Sequence, residues 1–399
     1  MKPKLEHLRH PLKTARVAQA LIAERLNIRR LAKRGERHFA ADPRFNLRSV
    51  KDGFGLHVAD RQAGHTDDQR ETVLLERICT AYSKAVNQER SAPKAFRATK
   101  WWEQMRQSSL GPVMRALQSR DIEALRRMYR NFFRDPCSAG LVGVPYGMSK
   151  PYIDANDADL RLYLIDALYR LDYWLAQTDR CFSLCDLAGP GIGNPFGLLM
   201  EGTLIETGAE YRHYCAVKVS RLLDSPQATV AEIGGGFGGM AYYLLRDRPG
   251  VTYLDFDVPE SLALTAYYLA SAFPRLTFQF YGEAAPTNEA RADVALMPLF
   301  ELPSIPPATV DVTFISHAIS DLRPPALAEY LKHIGRITRD SFLYIGTGQS
   351  GQSVIKRIPV PFRLVESRPS EWINHKIPAT LEIEDLYRRE PQKQPHAKT

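Results

Sequence analysis

Residues Glu232–Gly239, EIGGGFGG, place five glycines in eight positions directly after the apolar run ATVA. Glycine adopts positive φ freely and lets a ligand touch bare backbone, so such a loop at a strand end suits a phosphate or a ribose. Two spacings fit it. Gly234-x-Gly236-x-x-Gly239 is the dinucleotide fingerprint of nicotinamide and flavin proteins. Glu232-x-Gly234-x-Gly236-x-Gly238 is the acidic-Gly-x-Gly-x-Gly loop of enzymes that use S-adenosyl-L-methionine (SAM). In the SAM reading Glu232, Gly234, Gly235, Gly236, Phe237 and Gly238 line the cofactor. Asp257 ends the next predicted strand, 21 residues after Gly236. An acid there binds ribose hydroxyls, which both cofactors carry. Three features favour SAM: Glu232 itself, the Val-Pro-Glu that follows Asp257, and the position of the loop in mid-chain after a helical region.

Proton transfer needs a second group. His317 closes the run VDVTFIS, the predicted fourth strand, and imidazole titrates near neutral pH. Asp321 stands one helical turn further on, able to orient or charge it, so the pair is expected to act as general base and partner. The alternative is a His–Asp pair that caps the following helix. Met297 and Phe300 are expected beside an adenine ring or in the core. Tyr211, Arg212 and His213, on the helix before the first strand, are expected to face cofactor or acceptor. Arg212 suits a carboxylate. His375 is a reserve base. Asp255, Asp257 and Asp321 do not make a metal-binding spacing, and Cys181 and Cys185, without a matching pair, are expected to be packing residues. A second Gly346-x-Gly348-x-x-Gly351 is followed by Pro359 and Pro361 instead of a helix, so it reads as a loop over the site.

These residues need a scaffold that brings strand ends together. From residue 228 short β-rich runs alternate with helical ones: ATVAEIG and GMAYYLLRDR, VTYLDFD and PESLALTAYYLASAF, ADVALMP, VDVTFISHA and PALAEYLKHIGRIT, SFLYIGTG. That alternation predicts a doubly wound, mostly parallel sheet. RIPVPFRLVESRP and ATLEIEDLYR are expected to add late strands as an antiparallel edge pair. Upstream, Thr66 and Gln69 form a capping box before TDDQRETVLLERICTAYSKAVNQ. In DADLRLYLIDALYRLDYWLAQ, Leu164, Leu168, Leu171 and Leu175 recur at helical spacing. LAGPGIGNPFG reads as a linker. The expected organisation is a basic arm (1–60), a helical domain (61–200), a SAM-binding Rossmann-like domain (201–390) and a disordered tail (391–399).

Residues 1–37 hold eleven Lys/Arg and three Glu, which accounts for the whole net charge of +8. The body is therefore near neutral, which excludes a basic nucleic-acid-binding domain. The arm segment VAQALIAERLNIRRLAKR reads as a helix, either packed on the body or held to an anionic membrane surface or a partner. No apolar run approaches the ~18–20 residues of a membrane span. The five cysteines are scattered, so a cytoplasmic location is expected.

Several segments in order carry a resemblance: NFFRDPCSAGL at Asn131, GNPFG at Gly193, RHYCA at Arg212, EIGGGFGG, DVPE at Asp257, AYYLA at Ala266, ALMPLFELP at Ala295 and SHAISDL at Ser316. Over residues 100–340 the chain resembles the sugar O-methyltransferases of bacterial glycan biosynthesis. Asp321-Leu322 departs from the Glu-Met expected there. The resemblance implies a class I SAM-methyltransferase-like α/β fold, SAM as cofactor, and a hydroxyl of a nucleotide-linked sugar or surface glycan as acceptor. A nicotinamide-linked oxidoreductase remains an alternative, as does a non-catalytic SAM-fold scaffold that docks a glycan-assembly partner through the basic arm.

Overall fold

The structure is a computed structural model that describes residues 29–56, 68–141, 156–284, 291–320, 322–347, 362–373 and 382–390. Its N-terminal half is helical: α1 (Leu47–Gly55), α2 (Asp68–Glu89), α3 (Lys100–Gln107), α4 (Gly111–Ser119), α5 (Ile122–Tyr129) and α6 (Asp157–Gln177). Local sequence explains these elements. Asn156 caps α6 by accepting from the amides of Ala158 and Asp159, and acids in the first turn oppose the helix dipole. Leu160, Leu164, Leu168, Leu171 and Trp174 form its buried stripe. The predicted capping box at Thr66 lies outside the described residues. So do the arm before residue 29 and the tail after residue 390. Residues 29–38 are helical, and Leu31 packs into the core.

The expected linker ends at Gly197, where a hairpin begins. β1 (Gly197–Met200) and β2 (Thr203–Glu206) pair antiparallel through Glu201 and Gly202, both at positive φ. Their φ signs are those of the tight turns that match strand twist. After α7 (Ala209–Ser220) come β3 (Thr229–Ile233), α8 (Gly239–Asp247), β4 (Thr252–Asp257), α9 (Pro259–Ala272), β5 (Phe278–Gln279), β6 (Val294–Pro298), β7 (Val310–Ser316), α10 (Pro324–Ile337), β8 (Thr338–Thr347), β9 (Phe362–Pro369) and β10 (Glu382–Arg389). The sheet runs β5-β6-β4-β3-β7-β8-β10-β9. Every pair up to β8 is parallel, and β10 and β9 add antiparallel at one edge. This is the class I methyltransferase-like α/β fold. β3 is buried throughout, as a strand covered on both faces must be.

The helical half does not stand apart. One hydrophobic core joins Leu31, Leu75, Leu125 and Trp174 to Val230, Tyr268 and Trp372. α2 packs along α9, and buried ion pairs tie the halves together. Arg106 of α3 holds Glu89 at 3.0 Å and Glu260 of α9 at 2.7 Å. Among the described residues no helix is long and apolar enough to cross a membrane.

Candidate active site

The chain winds outward from β3 in both directions, so the carboxyl ends of β3 and β7 part to leave a crevice, the usual ligand position in such sheets. A cavity of about 690 Å³ opens there. Its floor is the end of β3 with the glycine loop, the end of β4, and Ser316–Ala318 after β7. The helical half supplies one wall through Trp101, Trp102 and Leu141, and α7 another through Tyr211 and Arg212. Trp372 and Glu382, from the two late strands' connection, close the far side.

The glycine loop is bonded inward. The amide of Gly234 donates to Phe256 O at 2.8 Å, Gly235 to Asp255 Oδ1 at 3.3 Å, Gly236 to Asp257 Oδ2 at 3.0 Å, and Gly238 to Gly235 O at 3.0 Å. Gly234 and Gly236 have φ of 80° and 65°. A Cβ on Gly236 would stand 2.6 Å from Leu141 O. Behind the loop, Phe237 packs on Phe132, Phe133 and Tyr268. The two upstream motifs brace that aromatic cluster: Phe133 N donates to Gly193 O at 3.0 Å, and Arg134 donates to the carbonyls of Asn194 and Phe54, each at 3.0 Å.

Three acids stand beneath the loop. Glu232 accepts from Tyr253 Oη at 2.6 Å and is 3% exposed; burial pushes its carboxyl up to about 7. Asp257 accepts from the amides of Gly236 and Val258 and from Ser261 Oγ. Burial raises it, against the lowering effect of those donors. Asp255 is fully buried and strongly raised, first by burial and then by the charges of Asp257 and Glu232. Glu232 and Asp257 line the cavity, whereas Asp255 does not.

On the other side of the floor, His317 has φ 61°. It is fixed there by its amide bond to Ile345 O at 2.8 Å and by Ser320 N, which donates to its carbonyl at 2.9 Å. Its imidazole is open to the cavity, and Nε2 lies 3.7 Å from Glu382 Oε1. Burial lowers the imidazole's pKa and the Glu382 carboxylate opposes that. The group is therefore held neutral near neutral pH, the form that can take a proton. Tyr211 Oη bonds Ser316 Oγ at 2.7 Å beside it.

The structure thus gathers Glu232, Gly234, Gly235, Gly236, Phe237, Asp257, Tyr211, Arg212 and His317 around one cavity. Asp321 and His375 lie outside the described residues. Two expectations are corrected, for His213 and Gly238, and Met297 takes the second of its two alternatives. His213 is fully buried, accepts from Trp174 Nε1 at 3.1 Å, and is pushed down to about 4 by burial. It is one residue past Arg212, and the helix turns it into the core. Gly238 caps α8 at φ 86° against Thr265 and Leu269 and does not line the cavity. Met297 packs with the core cluster on one face of the sheet, and Leu299 reaches the cavity in its place. Trp101, Trp372, Arg170 and Glu382 were not singled out by sequence, because no local spacing links them to the loop. Among the described residues no cluster of metal-ligating side chains occurs.

No protein-family model and no curated protein matches the chain. Among solved structures it is similar to the mitomycin 7-O-methyltransferase MmcR at 15% identity and TM-score 0.33, over 46% of this chain and 55% of that one. It is similar to the pyocyanin biosynthetic protein PhzM at 15% identity and TM-score 0.33, over 46% and 56%. A SAM-dependent methyltransferase from Aquifex aeolicus aligns at 13% identity and TM-score 0.30, over 44% and 88%. The chain spans little more than half the length of the first two.

Proposed function

We propose that the protein transfers a methyl group from SAM to a hydroxyl of a sugar, either nucleotide-linked or part of a glycan. One observation carries the cofactor assignment. Four amides of the glycine loop are spent on protein acceptors, and carboxyl groups stand beneath it. A pyrophosphate needs free amides and no anion behind them. The ammonium and ribose hydroxyls of SAM are donors, which Glu232 and Asp257 suit. The bound cofactor would supply a methyl group made electrophilic by its sulfonium.

The chain's own residues then act on the acceptor. Tyr211, backed by the buried Trp372, offers an aromatic surface to the apolar side of a sugar ring, with Trp101, 46% exposed, at the opposite wall. His317 Nε2 takes the proton of the acceptor hydroxyl, and the Glu382 carboxylate steadies the imidazolium so formed. The resemblance of the ordered motifs to sugar O-methyltransferases supports the sugar as acceptor.

Calorimetric titration with S-adenosylhomocysteine, and separately with NAD⁺ and NADH, tests the assignment. The first alone is expected to bind. Glu232→Gln should weaken it by about 10-fold or more, the usual worth of a hydrogen bond to a charged group. Wild-type affinity should rise as pH passes through about 7, where Glu232 ionises, and stay flat in the variant. Because the folded value is raised above that of the unfolded chain, this acid's contribution to the stability of the free protein is fully present below pH 4.5 and is lost as pH rises to about 7. Nicotinamide binding, or unchanged affinity in Glu232→Gln, would refute the cofactor assignment.

A further inference from the structure

Two arginines meet in the cavity wall where no step above uses them. Gly208 stands at φ 77°, just before α7, and a Cβ there would lie 3.0 Å from Arg212 Nη1 and 4.0 Å from Arg170 Nη2. The two guanidiniums thus crowd one point of the wall. Arg212 spends Nη1 on Thr207 O and Nη2 on Glu206, while its buried Nε has no partner. Arg170 bonds Glu210 through Nε, and its two Nη groups have no acceptor among the described residues. Its guanidinium lies over Trp372, which packs on Tyr211, whose ring in turn neighbours His317. The unspent donors of Arg170 therefore stand along the aromatic wall that leads to His317, while Arg212 beside it lies over Phe237 of the glycine loop.

Resting on the methyltransferase assignment, we infer that Arg170, with Arg212 beside it, binds an oxyanion carried by the acceptor, so that the sugar is an acidic one bearing a carboxylate or a phosphate. A planar fork of free N–H groups matches either anion with two parallel bonds. Each arginine already has one carboxylate partner, Glu210 for Arg170 and Glu206 for Arg212, so an entering anion would take up the N–H groups that remain on Arg170. The cavity's acids are Glu232 and Asp257 beneath the glycine loop and Glu382 beside His317.

The test uses the full chain saturated with S-adenosylhomocysteine and three probes: glucuronate, glucose 1-phosphate and glucose. At least one anionic probe is expected to bind about 10-fold tighter than glucose, the ordinary gain of a charge-assisted pair. The two anionic arms tell carboxylate from phosphate. Arg170→Gln combined with Glu210→Gln, which leaves no buried carboxylate behind, should abolish that preference and leave affinity for S-adenosylhomocysteine unchanged. No preference for either anion in the wild type would overturn the inference, as would a preference that survives in the variant. If instead the variant loses S-adenosylhomocysteine, the arginines hold the cofactor's own carboxylate and the inference is wrong. Failure of the wild type to bind S-adenosylhomocysteine would refute the methyltransferase assignment itself. Should the variant not fold, the wild-type comparison still decides, because loss of any preference with added salt separates charge recognition from shape.

Discussion

His317→Asn is expected to lower turnover by about 10²–10⁴-fold, the usual contribution of a positioned base, with little change in affinity for S-adenosylhomocysteine. Asparagine is the informative replacement, since it tolerates the left-handed backbone that His317 occupies at φ 61°. Alanine would add strain to the loss of the base. Glu382→Gln separates two roles of the pair. In the wild type the carboxylate raises a pKa that burial lowers. Without it the imidazole should titrate lower still, so the acid limb of the pH–rate profile moves to lower pH. The plateau should fall as well, because the imidazolium formed during proton transfer loses its counter-charge. A profile that keeps its position in Glu382→Gln would show that the two groups do not act together. Full turnover by His317→Asn on a true acceptor would show that the base lies elsewhere.

Gly234→Val should abolish cofactor binding. Gly234 has φ 80°, and any Cβ there overlaps Ala318, the residue after His317. The substitution therefore strains the loop by about 1–3 kcal/mol and drives the β3 and β7 loops apart, at the point where the crevice forms. Two functions should fail together: S-adenosylhomocysteine binding through the loop, and the placement of His317 through Ala318. Gly55→Ala, where a Cβ meets open space, is the matched control and should change neither. Titration and thermal melting of both variants check the outcome. Near wild-type affinity in Gly234→Val would mean that the loop is not the cofactor cradle.

The sheet was legible because each β–α repeat has its own pattern of apolar run, break and amphipathic run, and the late edge pair follows the same logic. β5 is two residues long, too short to leave a period. The β1–β2 hairpin was hidden by the glycines and prolines before it, although its Glu201-Gly202 turn carries a local signal. The same division holds in the site. Glu232, Asp257 and His317 follow from strand ends, so spacing along the chain finds them. Arg170 sits on α6, Trp101 on α3, and Glu382 at the start of β10, and packing alone brings them to the cavity. His213 was misplaced for the opposite reason. Its neighbours in sequence face the cavity, but a helix sends adjacent residues in different directions.

The core that runs from Leu31 through Trp174 and Val230 to Trp372 bears on how such a chain can change. The cavity's wall and floor are not separable modules, since the helices that carry Trp101 and Arg170 share their packing with the sheet that carries Glu232. Neither half could be exchanged for another without exposing the interior of both. New acceptors must then be won by altering individual side chains on the wall, while the interior that supports them stays fixed.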